Sequence, residues 1–276
     1  MSAKPIGRVC GALLISWPLL ALPTSALAQR AEQAARSRAN LDALARVEVR
    51  THTLPAAPGV EIPYGVYVPT FYDAARPTPL VIALHGLASG EMYMMEYAEL
   101  AELAEQYGFL VATPMGYNER GWYGSRGPGN TSREANAVPT NLGELSEQDV
   151  MAVLAIMNRD FNVDPDRTYL IGQSMGGGGT WHLGIEYPEI WAAIAPMAPA
   201  IYSSPDPLVA ARDLPVMVIH GDADESVDVE GTRRWVAKMA ELGMDYRYLE
   251  VRGGTHFSAG RDNIENVFAF LNGHRR

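Results

Sequence analysis

Cysteine is nearly missing from this 276-residue chain. Its one copy, Cys10, lies close to the N-terminus, so everything after it must fold and work without disulfides, a thiolate-held metal or a cysteine nucleophile. Positive charge is also short: 22 Lys and Arg against 32 Asp and Glu give a formal net charge of −10. An acidic chain without basic runs is a poor partner for nucleic acid or an anionic membrane. No internal repeat is visible, and past residue 28 no stretch nears the roughly 20 apolar residues of a spanning helix.

The first residues have the grammar of a secretory leader. Lys4 and Arg8 make a basic start, Cys10 to Leu22 is mostly apolar, and Ala26-Leu27-Ala28 is a small-x-small cleavage site. Pro18 and Pro23 interrupt the apolar run, which argues against a retained anchor. The expectation is a signal peptide over 1–28, a lead-in over 29–45 and a single domain over 46–276, in a protein that is secreted or periplasmic. The remaining length suits one α/β domain with a sizeable core.

Arg46–Leu54 and Glu61–Val68 alternate apolar and polar residues on either side of Pro55-Ala-Ala-Pro58-Gly59, which reads as an antiparallel hairpin. From Leu80 the pattern changes. Leu80–Leu84 is continuously apolar, as a strand covered on both faces should be. Short apolar runs then alternate with helical stripes: Leu100, Leu103, Ala104 and Tyr107; Val150, Val153, Leu154 and Met157; Trp235, Met239 and Leu242; Ile264, Val267, Phe268 and Leu271. Asn162–Arg167 reads as a turn into a strand at Tyr169, and 117–141 as a long loop, rich in Gly, Asn, Ser and Arg, of the kind that carries function. Strands alternating with helices imply a mostly parallel eight-stranded sheet with an antiparallel hairpin at its start and helices on both faces. That order matches the α/β-hydrolase fold.

The chemistry centres on Gly172-Gln-Ser174-Met-Gly176, placed between the apolar run Tyr169–Ile171 and a helix that opens on small residues. A serine on a sharp strand-to-helix turn needs glycines two positions to either side, because the chains pass too closely there for a side chain. The helix start aims its amides at developing negative charge. A serine hydroxyl is a weak nucleophile until a base takes its proton, and His256, in the glycine-bearing loop after the last strand, suits that task. His52 and His274 lie at the wrong ends of the chain, His182 sits on the helix behind Ser174, and His220 orients the turn after its strand. An orienting acid lies within His220-Gly-Asp222-Ala-Asp224-Glu-Ser-Val227-Asp228, where Asp222, Asp224 and Asp228 are all candidates. Met175, following the serine, would donate one backbone N–H to an oxyanion. Trp122 and Tyr123 in the long loop, and Tyr202 after the sixth strand, are candidate substrate contacts; Trp181 is assigned to the core.

The chain resembles the secreted bacterial α/β-hydrolase esterases grouped with polyhydroxybutyrate depolymerases, feruloyl esterases and acetylxylan esterases. Tyr64–Pro69, Pro79–Gly86, Phe161–Arg167, Tyr169–Gly177 and Tyr187-Pro188 carry the likeness, which runs from about Val60 to Leu271. The resemblance selects Asp224 as the acid, through the pattern His-Gly-x-x-Asp-x-x-Val. It makes Leu87, in His85-Gly86-Leu87, the second oxyanion donor, with His85 bracing that loop. It implies a triad of Ser174, Asp224 and His256 that hydrolyses esters through an acyl-enzyme without cofactor or metal, on short-chain, aromatic (feruloyl-type) or polyester substrates. The Ser-Met-Gly-Gly-Gly-Gly run is also similar to cutinase-type polyester hydrolases. A serine peptidase of the prolyl oligopeptidase type shares these motifs, but its large N-terminal gating domain has no counterpart in this sequence. A binding protein on the same scaffold would be marked by a missing triad member.

Overall fold

A computed structural model of the protein describes residues 24–97, 99–131 and 138–276. The leader expected over 1–28 lies outside the described residues as far as Pro23. The chain divides into two units at Arg38/Ala39. The described part of the first belongs to helix α1 (Thr24–Leu44), and the second, Ala39–Arg276, contains the sheet. Among the described residues no helix is long and apolar enough to cross a membrane.

Eight strands form one sheet: β1 (Glu48–Leu54), β2 (Ala57–Tyr67), β3 (Thr78–Leu84), β4 (Leu110–Pro114), β5 (Val163–Gln173), β6 (Ala193–Met197), β7 (Val216–Gly221) and β8 (Tyr246–Val251). Their spatial order is β1-β2-β4-β3-β5-β6-β7-β8. β1 pairs antiparallel with β2 and β2 with β4, and every later pairing is parallel. This is the mixed sheet that the alternation of elements predicts. Two boundaries differ. The hairpin is tighter, because Leu54 pairs with Ala57 and only Pro55-Ala56 turn the chain, so Pro58-Gly59 belong to β2. β5 also begins six residues early: Val163 pairs with Thr78, and the ladder then shifts register before Thr168 meets Leu80. Asp164–Arg167 have no partner on β3 and bulge out of the ladder, with Asp164 Oδ1 accepting from Asp166 N, so the turn character of this stretch persists inside the strand.

All seven residues of β3 are buried, and the pleat sorts them. Leu80, Ile82 and Leu84 pack with Val153, Met157, Leu170, Trp181 and Trp235, under α4 (Leu142–Asp160), α5 (Met175–Glu186) and α6 (Val229–Leu242). Val81 and Ala83 face the other way, onto Tyr169, Ile171, Phe109 and Phe268, under α3 (Leu100–Tyr107) and α8 (Ile264–Asn272). Each large apolar side chain enclosed this way contributes about 1.5–3 kcal/mol. The one-turn helices α2 (Met92–Met95) and α7 (Ser258–Arg261) lie in the connections that follow β3 and β8, and the β6–β7 connection carries only a short 3₁₀ turn, Asp206–Ala211.

The chain leaves β3 toward β4 on one side and returns to β5 on the other. The loops after β3 and β5 therefore open a crevice at the carboxyl end of the sheet, the place where parallel sheets bind ligands.

Candidate active site

Ser174 stands in that crevice as the residue between β5 and α5. Its backbone is strained, with φ 59° and ψ −115°, a conformation held by Ser174 N donating to Met197 O (2.9 Å) and by Gly178 N and Ala200 N donating to Ser174 O. The glycines at either side are sterically required. A Cβ on Gly172 would lie 2.3 Å from Gly176 O, and one on Gly176 would lie 2.1 Å from Leu84 O. Both obstacles are backbone, so neither can swing away. Gly176→Ala is expected to cost about 3 kcal/mol, at the upper end for overpacking, and to displace the β3 end with it. A thermal melt beside the wild type checks this; an unchanged Tm would show that the approach is looser than described.

The imidazole of His256 bridges the serine and an acid. His256 Nδ1 is 2.7 Å from Asp224 Oδ2, and Nε2 is 2.9 Å from Ser174 Oγ, with His256 7% exposed and the Asp224 side chain fully buried. A carboxylate only accepts, so Nδ1 carries the proton and donates it to Asp224. Nε2 is then the acceptor, and the Ser174 hydroxyl donates to it. Asp224 is the one acid of its turn joined to His256: Asp222 Oδ1 accepts from Gly253 N, and Asp228 caps α6 by accepting from Glu230 N. Burial pushes the Asp224 carboxyl up, but hydrogen bonds from Val227 N, His256 and Ser226 N together hold it below the usual carboxylate range.

Met175 N is the first amide of α5 and has no acceptor within the helix. Leu87 follows Gly86, where an added Cβ would run into Gln173 Oε1 and meet Ser174 Cβ, and among the described residues the Leu87 N–H has no acceptor. Ala88 N, next in line, is already committed to Glu119 O. His85 braces the loop, with its ring nitrogens 2.7 Å from Gly86 O and 2.8 Å from Met115 O.

The aromatic residues separate. Tyr123 is fully enclosed: its N–H donates to Ser146 Oγ, its hydroxyl to His85 O at 3.3 Å, and burial raises its phenol well above the ordinary value. It packs as a brace under the loop. Trp122 meets Tyr202 edge-on, and the Arg126 guanidinium lies over both rings, 3.5 and 4.6 Å from their centroids. Tyr202 is two-thirds exposed and borders a cavity of about 250 Å³ beside α5, whose wall includes Gly178, Trp181, Ile185, Ile201 and Trp235. Trp181, assigned to the core from sequence, is thus both buried and part of that wall.

Supporting residues were not readable in advance. Gln173 Nε2 donates to His256 O at 3.2 Å and so ties the histidine loop to the nucleophile strand. His52 is engaged by Asp149 (2.6 Å), whose other oxygen accepts from Gly116 N and Tyr117 N and so anchors the start of the long loop. Both partners are remote in sequence, so no local spacing signals them. His182 and Tyr187 both bond Glu147, and the His182 contact is foremost in lowering that carboxyl below its ordinary value. Among the described residues no cluster of three or more His, Cys, Asp or Glu could hold a metal ion.

Comparison with known proteins places this geometry in context. A family model, Esterase, described as "Putative esterase", matches residues 56–258. The "Bifunctional acetylxylan esterase/xylanase XynS20E" of Neocallimastix patriciarum is 28% identical over 166 residues, which is 60% of this chain and 22% of that protein. The "Putative esterase NocK" of Nocardia uniformis subsp. tsuyamanensis is 29% identical over 199 residues, 71% of this chain and 50% of that one. The chain thus spans half or less of the length of these relatives. Among solved structures, a thermostable esterase aligns with a TM-score of 0.64 and 25% identity, covering 84% of this chain and 64% of the other.

Proposed function

The chain belongs to the esterase family whose model it matches, and we propose that it is a serine carboxylic-ester hydrolase working through an acyl-enzyme. The observation that carries the reading is the unbroken hydrogen-bond line from Ser174 Oγ through His256 to Asp224, at 2.9 and 2.7 Å. In the proposed reaction His256 Nε2 takes the hydroxyl proton as Ser174 Oγ attacks the ester carbonyl carbon. Asp224 stabilises the imidazolium, and the amides of Met175 and Leu87 hold the oxyanion. Collapse expels the alcohol, which leaves with the proton from His256. Water then enters, gives its proton to His256 and attacks the acyl carbon, and the acid departs as Ser174 is reprotonated. No step calls on a cofactor or metal.

The apolar and aromatic wall beside α5 suits a short aliphatic or aromatic acyl or alcohol group. Acetyl, feruloyl-type and polyester substrates all fall within that description. We infer that a leader over 1–28 directs the protein out of the cytoplasm, where such polymeric esters would be met.

A panel of p-nitrophenyl acetate and butyrate, methyl ferulate, acetylated xylan and polyhydroxybutyrate, run beside a chromogenic peptide, tests the reading. Turnover of one or more esters well above the peptide is expected. Peptide turnover far exceeding every ester would overturn it.

A further inference from the structure

The acid of the site is held by a second imidazole. His220, the fifth residue of β7, is fully buried, and its Nε2 lies 3.1 Å from Asp224 Oδ2, the same oxygen that takes the proton of His256 Nδ1. Nε2 is also 3.1 Å from Val227 O, and Nδ1 is 2.7 Å from the hydroxyl of Thr232 on α6. These partners leave one protonation pattern. A carboxylate and a carbonyl can only accept, so Nε2 carries a proton; in the neutral ring Nδ1 is then the acceptor, and the Thr232 hydroxyl donates to it. Burial lowers His220 below the ordinary histidine range, which keeps it neutral in that tautomer. Asp224 is thereby saturated. Oδ1 takes Ser226 N and Val227 N at 2.8 and 2.9 Å, and Oδ2 is shared by two imidazoles.

We propose that His220, set in its Nε2–H tautomer by Thr232, is a positioning residue that fixes Asp224 Oδ2 toward His256 and draws off part of its negative charge. The inference rests on the esterase reading above. Two consequences follow from the shared oxygen. Without the His220 N–H, Oδ2 keeps one side-chain donor and the carboxylate can swing about its backbone-anchored Oδ1, so His256 is aimed less well. The oxygen also becomes a stronger acceptor for the imidazolium, so His256 holds its proton to higher pH.

Other titratable groups surround the pair. Glu250 on β8 stands in register with His220 and is bound by Arg233 of α6. Asp222, Glu225 and Asp228 share the turn, Glu230 lies on α6, and the phenols of Tyr93 and Tyr97 reach Gln173 and Phe257 O from the α2 side. All are unchanged in the variants below, so they cannot generate a difference among them.

The test uses His220→Leu, His220→Gln and Thr232→Val in the full chain, with an ester that the wild type turns over. His220→Leu removes the donor; glutamine can return an amide N–H to the Nε2 position; Thr232→Val keeps the shape and removes the hydroxyl that sets the tautomer. For His220→Leu the expected result is a kcat about 10- to 100-fold lower, the worth of a hydrogen bond to a charged group, with KM changed less than about twofold. The acid limb of the kcat/KM profile should rise by roughly half a pH unit. His220→Gln should recover most of both, and Thr232→Val should show the same signs in smaller measure. In the wild type, ¹⁵N NMR of the imidazoles should report His220 protonated on Nε2.

Wild-type kcat and pH profile in His220→Leu, or His220→Gln no better than His220→Leu, would reduce His220 to core packing and overturn the proposal. A wild-type His220 protonated on Nδ1 would do the same, and this readout with Thr232→Val decides the matter should His220→Leu fail to fold. Failure of the esterase reading looks different: no ester is turned over, or Ser174→Ala stays active, whatever the state of His220.

Discussion

Ser174→Ala is expected to lower ester hydrolysis by about 10⁴- to 10⁶-fold while leaving the protein folded. The magnitude follows from removing the only group that forms the acyl bond in the proposed reaction. What survives is the oxyanion amides and substrate binding, which alone supply about 10³–10⁴ over water in comparable sites. Stability should change little. Alanine meets the same backbone cost at φ 59° as serine, and the substitution deletes one hydrogen bond, to His256 Nε2, from a half-buried position. Initial rates with a p-nitrophenyl ester, a thermal melt, and mass labelling by an organophosphorus reagent check the three parts. Wild-type rates in the variant would eliminate Ser174 as nucleophile; labelling at a different residue would relocate it.

Asp224→Asn is expected to cost about 10³- to 10⁴-fold in kcat, more than a single neutralised charge suggests, because the neighbours dictate how the amide must sit. Ser226 N and Val227 N both donate to Oδ1, so the asparagine carbonyl must stay there. The amide nitrogen then occupies the Oδ2 position and points its hydrogens at His256 Nδ1 and at the His220 N–H. His256 answers by moving its proton to Nε2, where it can no longer accept from Ser174, and His220 meets a donor where it had an acceptor.

Stability carries the same signature. The Asp224 carboxyl is held below its unfolded range, so its contribution is fully present above the unfolded value, about 3.9, and is lost as pH falls through the lower folded value. Between about pH 5 and 2 the wild-type Tm should therefore fall more steeply than that of Asp224→Asn. Parallel curves would mean that Asp224 is not the stabilised carboxylate described.

Much of the architecture could be read in advance because its signals are local. A strand covered on both faces has to be continuously apolar, and Leu80–Leu84 is. A helix against a sheet shows its stripe, as Trp235, Met239 and Leu242 do. The turn at Ser174 declared itself because two chains meeting that closely exclude every side chain but hydrogen, and Gly172 and Gly176 satisfy the requirement within five residues. Where local preference and long-range pairing compete, both can survive, as at the start of β5, where Val163 pairs with Thr78 and Asp164–Arg167 turn out of the ladder before Thr168 rejoins it.

By itself, then, the sequence determined the sheet with its covering helices, the serine corner, and the chain order of serine, acid and histidine, because each rests on a spacing of a few residues. Spacing alone leaves the three aspartates after β7 equivalent, the family resemblance picks out Asp224, and the fold gives each its own partner: one turns to His256, one to Gly253 N, one to the start of α6. Tertiary structure alone also set Tyr123 beneath the loop as a brace, tied Gln173 to a carbonyl 83 residues away, and brought His220 and Thr232 to the back of the acid. These depend on directions of side chains from separate elements meeting at one point, and no periodicity along a chain encodes where two such directions cross.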